Sequence, residues 1–129
     1  MIEKQKLLFD QAIEFHKKKD LSNAQLKYEE ILKLNPNNAE AYVNLGVIFK
    51  TKGDLNTAIK CYLQGIKLDP KNKFVYNNIG NAFKEVKDYK MAIKAYSDSI
   101  KLNPNDFNAY NNLGIVYELI GDNNKAIAA

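Results

Sequence analysis

The sequence contains few of the residues on which catalytic and metal sites depend. It has one cysteine, Cys61, one histidine, His16, and no arginine, since all 19 basic residues are lysine. One cysteine cannot form an internal disulfide, and an isolated histidine supports neither a zinc site nor a catalytic site. Without guanidinium groups, the chain cannot hold carboxylates or phosphates through bidentate arginine contacts. We therefore expect no enzyme activity and no cofactor in these residues.

Long apolar segments are also missing from the sequence. No apolar run approaches the roughly 20 residues that a membrane-spanning helix needs. The first ten residues lack the apolar segment and the small-residue cleavage site of a signal peptide. Apolar residues make up 46% of the chain and charged residues 26%, as in ordinary folded proteins. These features predict a cytoplasmic protein without a membrane partner.

The charge pattern argues against nucleic-acid binding. The net charge is +4 and the sequence pI is about 9.0. The lysines are interspersed with Asp and Glu, and no motif for base or phosphate recognition accompanies them. The most regular of them lie on the predicted second helices, at Lys33, Lys60, Lys67, Lys94 and Lys101. We expect these lysines to form a solvated face, with no nucleic-acid partner.

A repeat of 34 residues organises the chain. Residues 39–72 match residues 73–106 in register, match residues 5–38 more weakly, and match residues 107–129 until the chain stops. A fixed period of this length is typical of stacked supersecondary units, each of which buries its apolar face against its neighbours. The chain is therefore predicted to be one domain, 1–129, with these four repeats, the last of them truncated.

Each repeat is predicted to form two helices joined by a tight turn. In residues 39–72 the apolar positions follow helical spacing, are interrupted at Gly53 and Asp54, and then resume. An acidic residue recurs at this break, where it can cap the second helix; these residues are Asp20, Asp54, Asp88 and Asp122. Proline recurs where the second helix ends, at Pro36, Pro70 and Pro104, and Asn38, Asn72 and Asp106 can cap the next helix. The same pattern predicts a separate last helix from about Asn123 to Ala129.

These columns resemble the tetratricopeptide repeat, which has an aromatic residue, Leu-Gly, an aromatic, a later Ala, a second aromatic and a closing Pro. The second repeat matches at Tyr42, Leu45, Gly46, Phe49, Ala58, Tyr62 and Pro70, and the third matches at Tyr76, Ile79, Gly80, Phe83, Ala92, Tyr96 and Pro104. The fourth matches at Tyr110, Leu113, Gly114, Tyr117 and Ala126. The resemblance implies an all-α, right-handed superhelical solenoid. The glycines and alanines would allow close helix approach, and the aromatics would fill the space between the helices.

The two ends of the repeat array differ. The first repeat has Gln11 and Glu14 where later repeats have apolar residues, which suits a helix that no preceding repeat covers. The predicted last helix lacks the aromatic and the proline of its column, and an uncovered apolar helix is an unfavourable terminus. We expect the sequence to be an N-terminal fragment of a longer repeat protein, and its open end to allow self-association.

In the tetratricopeptide repeat family, the first helix of each pair lines a concave groove, where ligands bind. Helical spacing then places a set of apolar, amide and lysine side chains in that groove. They are Phe9, Ile13, Val43, Asn44, Val47, Lys50, Asn77, Asn78, Asn81, Lys84, Asn111 and Asn112.

The most regular feature of this set is the column Asn44, Asn78 and Asn112. A carboxamide can pair with both the N–H and the C=O of an extended peptide, and the column resembles the asparagine ladder of the O-linked N-acetylglucosamine transferase repeats. The alternative is that these amides only serve packing or local hydrogen bonding. The clamp that holds chaperone C-termini in some family members is not expected, because Phe9, Phe74 and Asn78 occupy its basic positions.

The predicted function is that of a protein interaction module that binds a peptide segment of a partner in the concave groove. Two alternatives remain open at this point. The chain could be the substrate-presenting segment of a larger enzyme such as a glycosyltransferase, or it could be a structural repeat that stacks on other copies of itself.

Overall fold

The computed structural model describes the backbone of residues 2–128 and the side chains of residues 2–121. Within this part of the chain it contains seven α-helices and no strand. The helices are α1 (Ile2–Lys17), α2 (Leu21–Leu34), α3 (Ala39–Thr51), α4 (Leu55–Leu68), α5 (Lys73–Glu85), α6 (Tyr89–Leu102) and α7 (Phe107–Ala128). None of the described helices is long and apolar enough to cross a membrane.

Side-chain caps start the helices where the sequence predicts them. Asp20, Asp54 and Asp88 accept hydrogen bonds from backbone amides in the first turns of α2, α4 and α6. The caps of the first helices are Asn38 on α3, Asn72 on α5 and Asp106 on α7. Each second helix ends two residues before a proline, because proline cannot continue it.

The chain forms two compact units, residues 1–70 and residues 71–129. In the first unit, α2 packs against both α1 and α3, and α3 packs against α4. Its core includes Leu8, Ala12, Tyr28, Ile31, Leu45 and Ile48, all of them buried. In the second unit, α6 packs against both α5 and α7, around the buried Val75, Ile79, Tyr96 and Val116.

Two glycines let the paired helices approach closely, as the repeat pattern predicts. A Cβ atom added to Gly46 of α3 would lie 2.5 Å from the ring of Tyr62 in α4. At Gly80 of α5 the same atom would lie 2.5 Å from the ring of Tyr96 in α6. At Gly114 of α7, no atom of the described residues comes within 4 Å. The glycine column therefore serves helix packing in the second and third repeats.

The predicted break at Asp122 is wrong. The backbone continues as one helix, α7, from Phe107 to Ala128. The three turns that do form each contain a residue in the left-handed region, Lys19, Gly53 or Lys87, and each is followed by a complete second helix that packs back on the first. Continuing α7 keeps the helical backbone hydrogen bonds that a turn would break.

Candidate functional site

The residues predicted to bind a ligand all lie on the first helices of the pairs, α1 and α3 in the first unit and α5 and α7 in the second. The first-unit set contains Phe9, Ile13, Val43, Asn44, Val47 and Lys50. The second-unit set contains Asn77, Asn78, Asn81, Lys84, Asn111 and Asn112. We describe each set within its own unit.

In the first unit, internal packing takes up part of the predicted apolar surface. The ring of Phe9 meets the ring of Tyr28 edge-on, with centroids 5.9 Å apart, and packs against the core. Val43 fills the space beside Gly65 of α4, where an added Cβ would lie 2.7 Å from its Cγ2. Ile13 is exposed and Val47 is half-buried. Ile13 and Val47 are therefore the more available of the four apolar side chains.

Asn44 is engaged by a tyrosine of the preceding repeat. Its side chain forms a hydrogen bond with the hydroxyl of Tyr28. Burial raises the pKa of Tyr28 and the carboxylate of Glu40 raises it further, whereas the bond with Asn44 acts in the opposite direction. The amide has more hydrogen-bonding positions than this one contact uses. Asn44 thus has a structural contact and retains capacity for a ligand.

In the second unit, Asn77 belongs to a polar network at the start of α7. Its Nδ2 donates to Oδ2 of Asp106 at 2.6 Å, and Oγ of the buried Ser99 donates to the same oxygen at 2.8 Å. Oδ1 of Asn77 is buried and makes no hydrogen bond within the described residues. The backbone N–H of Ala109 donates to Oδ1 of Asp106 at 3.1 Å. Asn77 therefore helps to hold the cap of α7.

Asn81 also has an internal partner. The hydroxyl of Tyr96 in α6 donates to its Oδ1 at 2.5 Å. Burial and the carboxylate of Glu85 raise the pKa of Tyr96 to about 12, so this hydroxyl remains a proton donor at neutral pH. This bond uses only the oxygen of the Asn81 amide, so its Nδ2 group can still donate to a ligand.

The remaining three asparagines lie on α5 and α7. Asn111 is exposed, and Asn78 and Asn112 are half-buried. Lys50 and Lys84 lie half-buried in the last turns of α3 and α5, where their charge complements the helix dipole.

The sequence did not predict a pocket at the edge of the second unit. It encloses about 390 Å³ and is lined by residues of α5, of α7 and of the segment between α6 and α7. The lining residues are Lys73, Phe74, Asn77, Asn103, Asn105, Asp106, Phe107 and Asn108. Phe74 and Phe107 are 74% and 80% exposed. The sequence does carry a signal for Phe107, because the other repeats have small or polar residues at its position, namely Gln5, Ala39 and Lys73.

Metal and thiol chemistry receive no support from the described residues. Among them, no group of three or more His, Cys, Asp or Glu side chains could hold a metal ion. Burial raises the pKa of the Cys61 thiol, and the carboxylates of Asp54 and Glu29 raise it further. A raised pKa disfavours the reactive thiolate. The environment of Cys61 therefore favours the protonated thiol.

The helix pairs, the capped turns and the glycine contacts define an all-α helical repeat protein of the solenoid class. A family model described as TPR repeat matches residues 48–87 and 80–121, more than half of the chain, and a second model, described as tetratricopeptide repeat, matches residues 27–60. The chain belongs to the tetratricopeptide repeat family.

Solved structures agree with this assignment. A crystal structure of MamA is 31% identical to this chain. The match covers 99% of this chain and 70% of the MamA chain, with a TM-score of 0.87. The first TPR domain of Spaghetti (RPAP3), bound to the HSP90 peptide SRMEEVD, is 19% identical over 92% of this chain and 94% of its own, with a TM-score of 0.87. The Sgt2 TPR domain from Aspergillus fumigatus is 22% identical; the match covers 94% of this chain and 82% of the Sgt2 domain, with a TM-score of 0.85. No protein of curated function matches this chain in sequence.

Proposed function

We propose that this chain is a protein interaction module that binds an extended peptide segment of a partner protein on its first helices. The observation that carries the proposal is the group of asparagines on α5 and α7, exposed at Asn111 and half-buried at Asn78 and Asn112, in a member of the tetratricopeptide repeat family. The structure of Spaghetti (RPAP3) with an HSP90 peptide supports it, since the same fold accommodates a peptide there. No catalytic role is proposed for these residues.

The amides would hold the peptide backbone. Each carboxamide offers two N–H donors and an acceptor oxygen, which match the C=O and N–H groups of an extended chain. The contacts of Asn44, Asn77 and Asn81 with Tyr28, Asp106 and Tyr96 keep neighbouring side chains in place, and Asn44 and Asn81 retain spare hydrogen-bonding groups. Because backbone contacts do not read side chains, this part of the surface would give affinity and little sequence selectivity.

Apolar and cationic side chains would supply the selectivity. Ile13 and Val47 offer accessible apolar surface in the first unit, and Phe9 and Val43 are half-buried on the same two helices, α1 and α3. Lys50 and Lys84 would favour acidic residues of the peptide through screened attraction. A flexible peptide loses conformational entropy on binding, so we expect a dissociation constant on the order of micromolar.

The test is a selection from a phage-displayed library of random dodecapeptides, followed by fluorescence anisotropy with the enriched peptides. The double variant Asn78→Ala, Asn112→Ala should bind them about tenfold or more weakly, because two hydrogen bonds of about 1 kcal/mol each are lost. Asn56→Ala is the matched control, since Asn56 is an exposed asparagine on α4 and should leave the affinity unchanged. Equal binding by the parent and the double variant would refute the role of the amides.

A further inference from the structure

Two exposed phenylalanines line the pocket at the edge of the second unit. Phe74 is 74% exposed and Phe107 is 80% exposed, whereas the other four phenylalanines of the chain are buried or half-buried. Adjacent exposed aromatics that leave a large apolar area in water are typical of interaction sites. Both side chains line the same pocket of about 390 Å³.

The repeat itself shows that the fold does not need these aromatics. At the position of Phe74 the other repeats have Lys6, Glu40 and Asn108. At the position of Phe107 they have Gln5, Ala39 and Lys73. The same backbone therefore forms with polar or small residues at both positions. An explanation for the two phenylalanines must come from something outside the helix packing.

The charges around the pocket indicate the chemistry of its ligand. The lining carboxylate, Asp106, already accepts hydrogen bonds from the side chains of Asn77 and Ser99 and from the backbone of Ala109. The lining ammonium, Lys73, lies 5.5 Å from the centre of the Phe74 ring and forms no ion pair within the described residues. A cation held over an aromatic ring can still pair with an incoming carboxylate. The pocket thus presents apolar surface beside a positive charge that is not neutralised.

We infer that this pocket receives one large apolar side chain of a partner protein's peptide, packed between Phe74 and Phe107, with an adjacent carboxylate of that peptide on Lys73. The volume lies at the small end of the range for ligand pockets, which suits a single side chain and is too small for a folded domain. Aromatic residues around a small pocket are common centres of binding energy in interfaces. The site goes beyond the proposed amide surface and does not depend on Asn44, Asn78 or Asn112.

The test uses a phage-displayed library of random dodecapeptides selected on the parent protein. The variants take the residues that the chain itself has at equivalent positions: Phe74→Asn, Phe107→Ala, and both together. Lys73→Ala removes the charge. Leu26→Ala is the matched control, because Leu26 is an exposed apolar residue of α2 in the other unit. Circular dichroism and thermal unfolding establish that each variant is folded.

We expect enrichment of peptides in which a large apolar residue stands beside Asp or Glu. Their affinity should fall by about tenfold or more in the double phenylalanine variant. It should fall less in Lys73→Ala, with a weaker salt dependence than the parent. It should not change in Leu26→Ala. Loss in the asparagine variant alone would support the amide surface and refute this pocket.

Three results would overturn the inference. The first is the absence of any enriched peptide, and the second is enrichment that survives the double phenylalanine variant. The third is that sedimentation velocity, without peptide, shows the parent self-associating and the double variant monomeric, which would make the patch an interface between copies. A Phe107→Trp variant gives an independent measurement, since the chain contains no other tryptophan. Its emission should shift to shorter wavelength when an enriched peptide binds, and an unchanged spectrum would contradict the site.

Discussion

At the residue scale, Gly46 and Gly80 set the distance between paired helices. Tyr62 and Tyr96 occupy the space where a side chain at these glycines would lie. Both tyrosines are buried and large, and each fills its helix interface only because the facing residue has no Cβ. This contact was predictable from the columns of the repeat, which pair a glycine with a later aromatic residue.

Alanine at Gly80 should destabilise the protein. The added methyl group would overlap the Tyr96 ring, and we expect overpacking to lower the free energy of unfolding by about 1–3 kcal/mol. Gly114→Ala is the matched control, and at that site the higher helix propensity of alanine should leave stability unchanged or raise it by up to about 1 kcal/mol. Urea unfolding followed by circular dichroism measures both. Similar effects at Gly80 and Gly114 would contradict the packing argument.

The network around Asp106 should make stability sensitive to acid. Burial alone would raise the pKa of Asp106, but hydrogen bonds from Ala109, Ser99, Asn77 and Asn108 outweigh it and hold the pKa below the usual value. The unfolded chain then binds the proton first, so this contribution to stability is present above about pH 4 and is lost as the pH falls through the folded-state pKa.

Asp106→Asn should therefore lose less stability than the parent on acidification, because it has no carboxylate at this position to protonate. Asparagine can still cap α7, as Asn38 and Asn72 cap the equivalent helices. The measurement compares urea midpoints of the two proteins at about pH 7 and about pH 3. Asp10→Asn, at an exposed position on α1, is the control, and its urea midpoint should fall between the two pH values as much as that of the parent. Parallel losses for the parent and Asp106→Asn would show that the network does not depend on the charge.

At the scale of the elements, the turns between paired helices were predictable and their strain was not. Gly53 has a φ of 89°, and the equivalent Lys19 and Lys87 have φ values of 63° and 66°. The sequence places these breaks through the acidic cap that follows each of them. Only the structure shows that two lysines occupy the left-handed region, which favours glycine.

Lys87→Gly should stabilise the protein. Relief of the left-handed strain, about 1–2 kcal/mol, exceeds the extra entropy that glycine gives the unfolded chain, so we expect a gain of about 0.5–1 kcal/mol. Lys60→Gly makes the same chemical change at an exposed position inside α4 and should cost about 1 kcal/mol instead. Thermal unfolding distinguishes them. A loss of stability in Lys87→Gly would mean that the lysine side chain stabilises the turn.

The one element that the pattern predicted wrongly is the end of α7. The columns of Gly121 and Asp122 indicate a turn in each complete repeat, but a turn forms only when the helix that follows it can pack. Residues 55–68 and 89–102 form such helices, each with a tyrosine on a glycine. Local pattern cannot supply that tertiary contact, so the helix continues.

At the scale of the whole molecule, the sequence identified the family and the helices that carry the candidate site. It could not determine how available each candidate side chain is. The partners of Asn44, Asn77 and Asn81 are Tyr28, Asp106 and Tyr96, which lie outside the helix of each asparagine. Such contacts depend on the packing of separate elements. The pocket beside Phe74 and Phe107 was missed for the same reason, because its wall combines residues from three segments.

The most direct test of peptide binding on the amide surface is the side-chain amide region of a ¹H–¹⁵N correlation spectrum, recorded as an enriched dodecapeptide is added. Asparagine NH₂ signals are observed individually, so the measurement reports on the groups proposed to bind. We expect the signals of Asn78, Asn111 and Asn112 to shift with a common dissociation constant, while Asn23 and Asn56 on α2 and α4 remain in place. Saturation by the peptide without any shift at Asn78, Asn111 and Asn112 would contradict the proposed function.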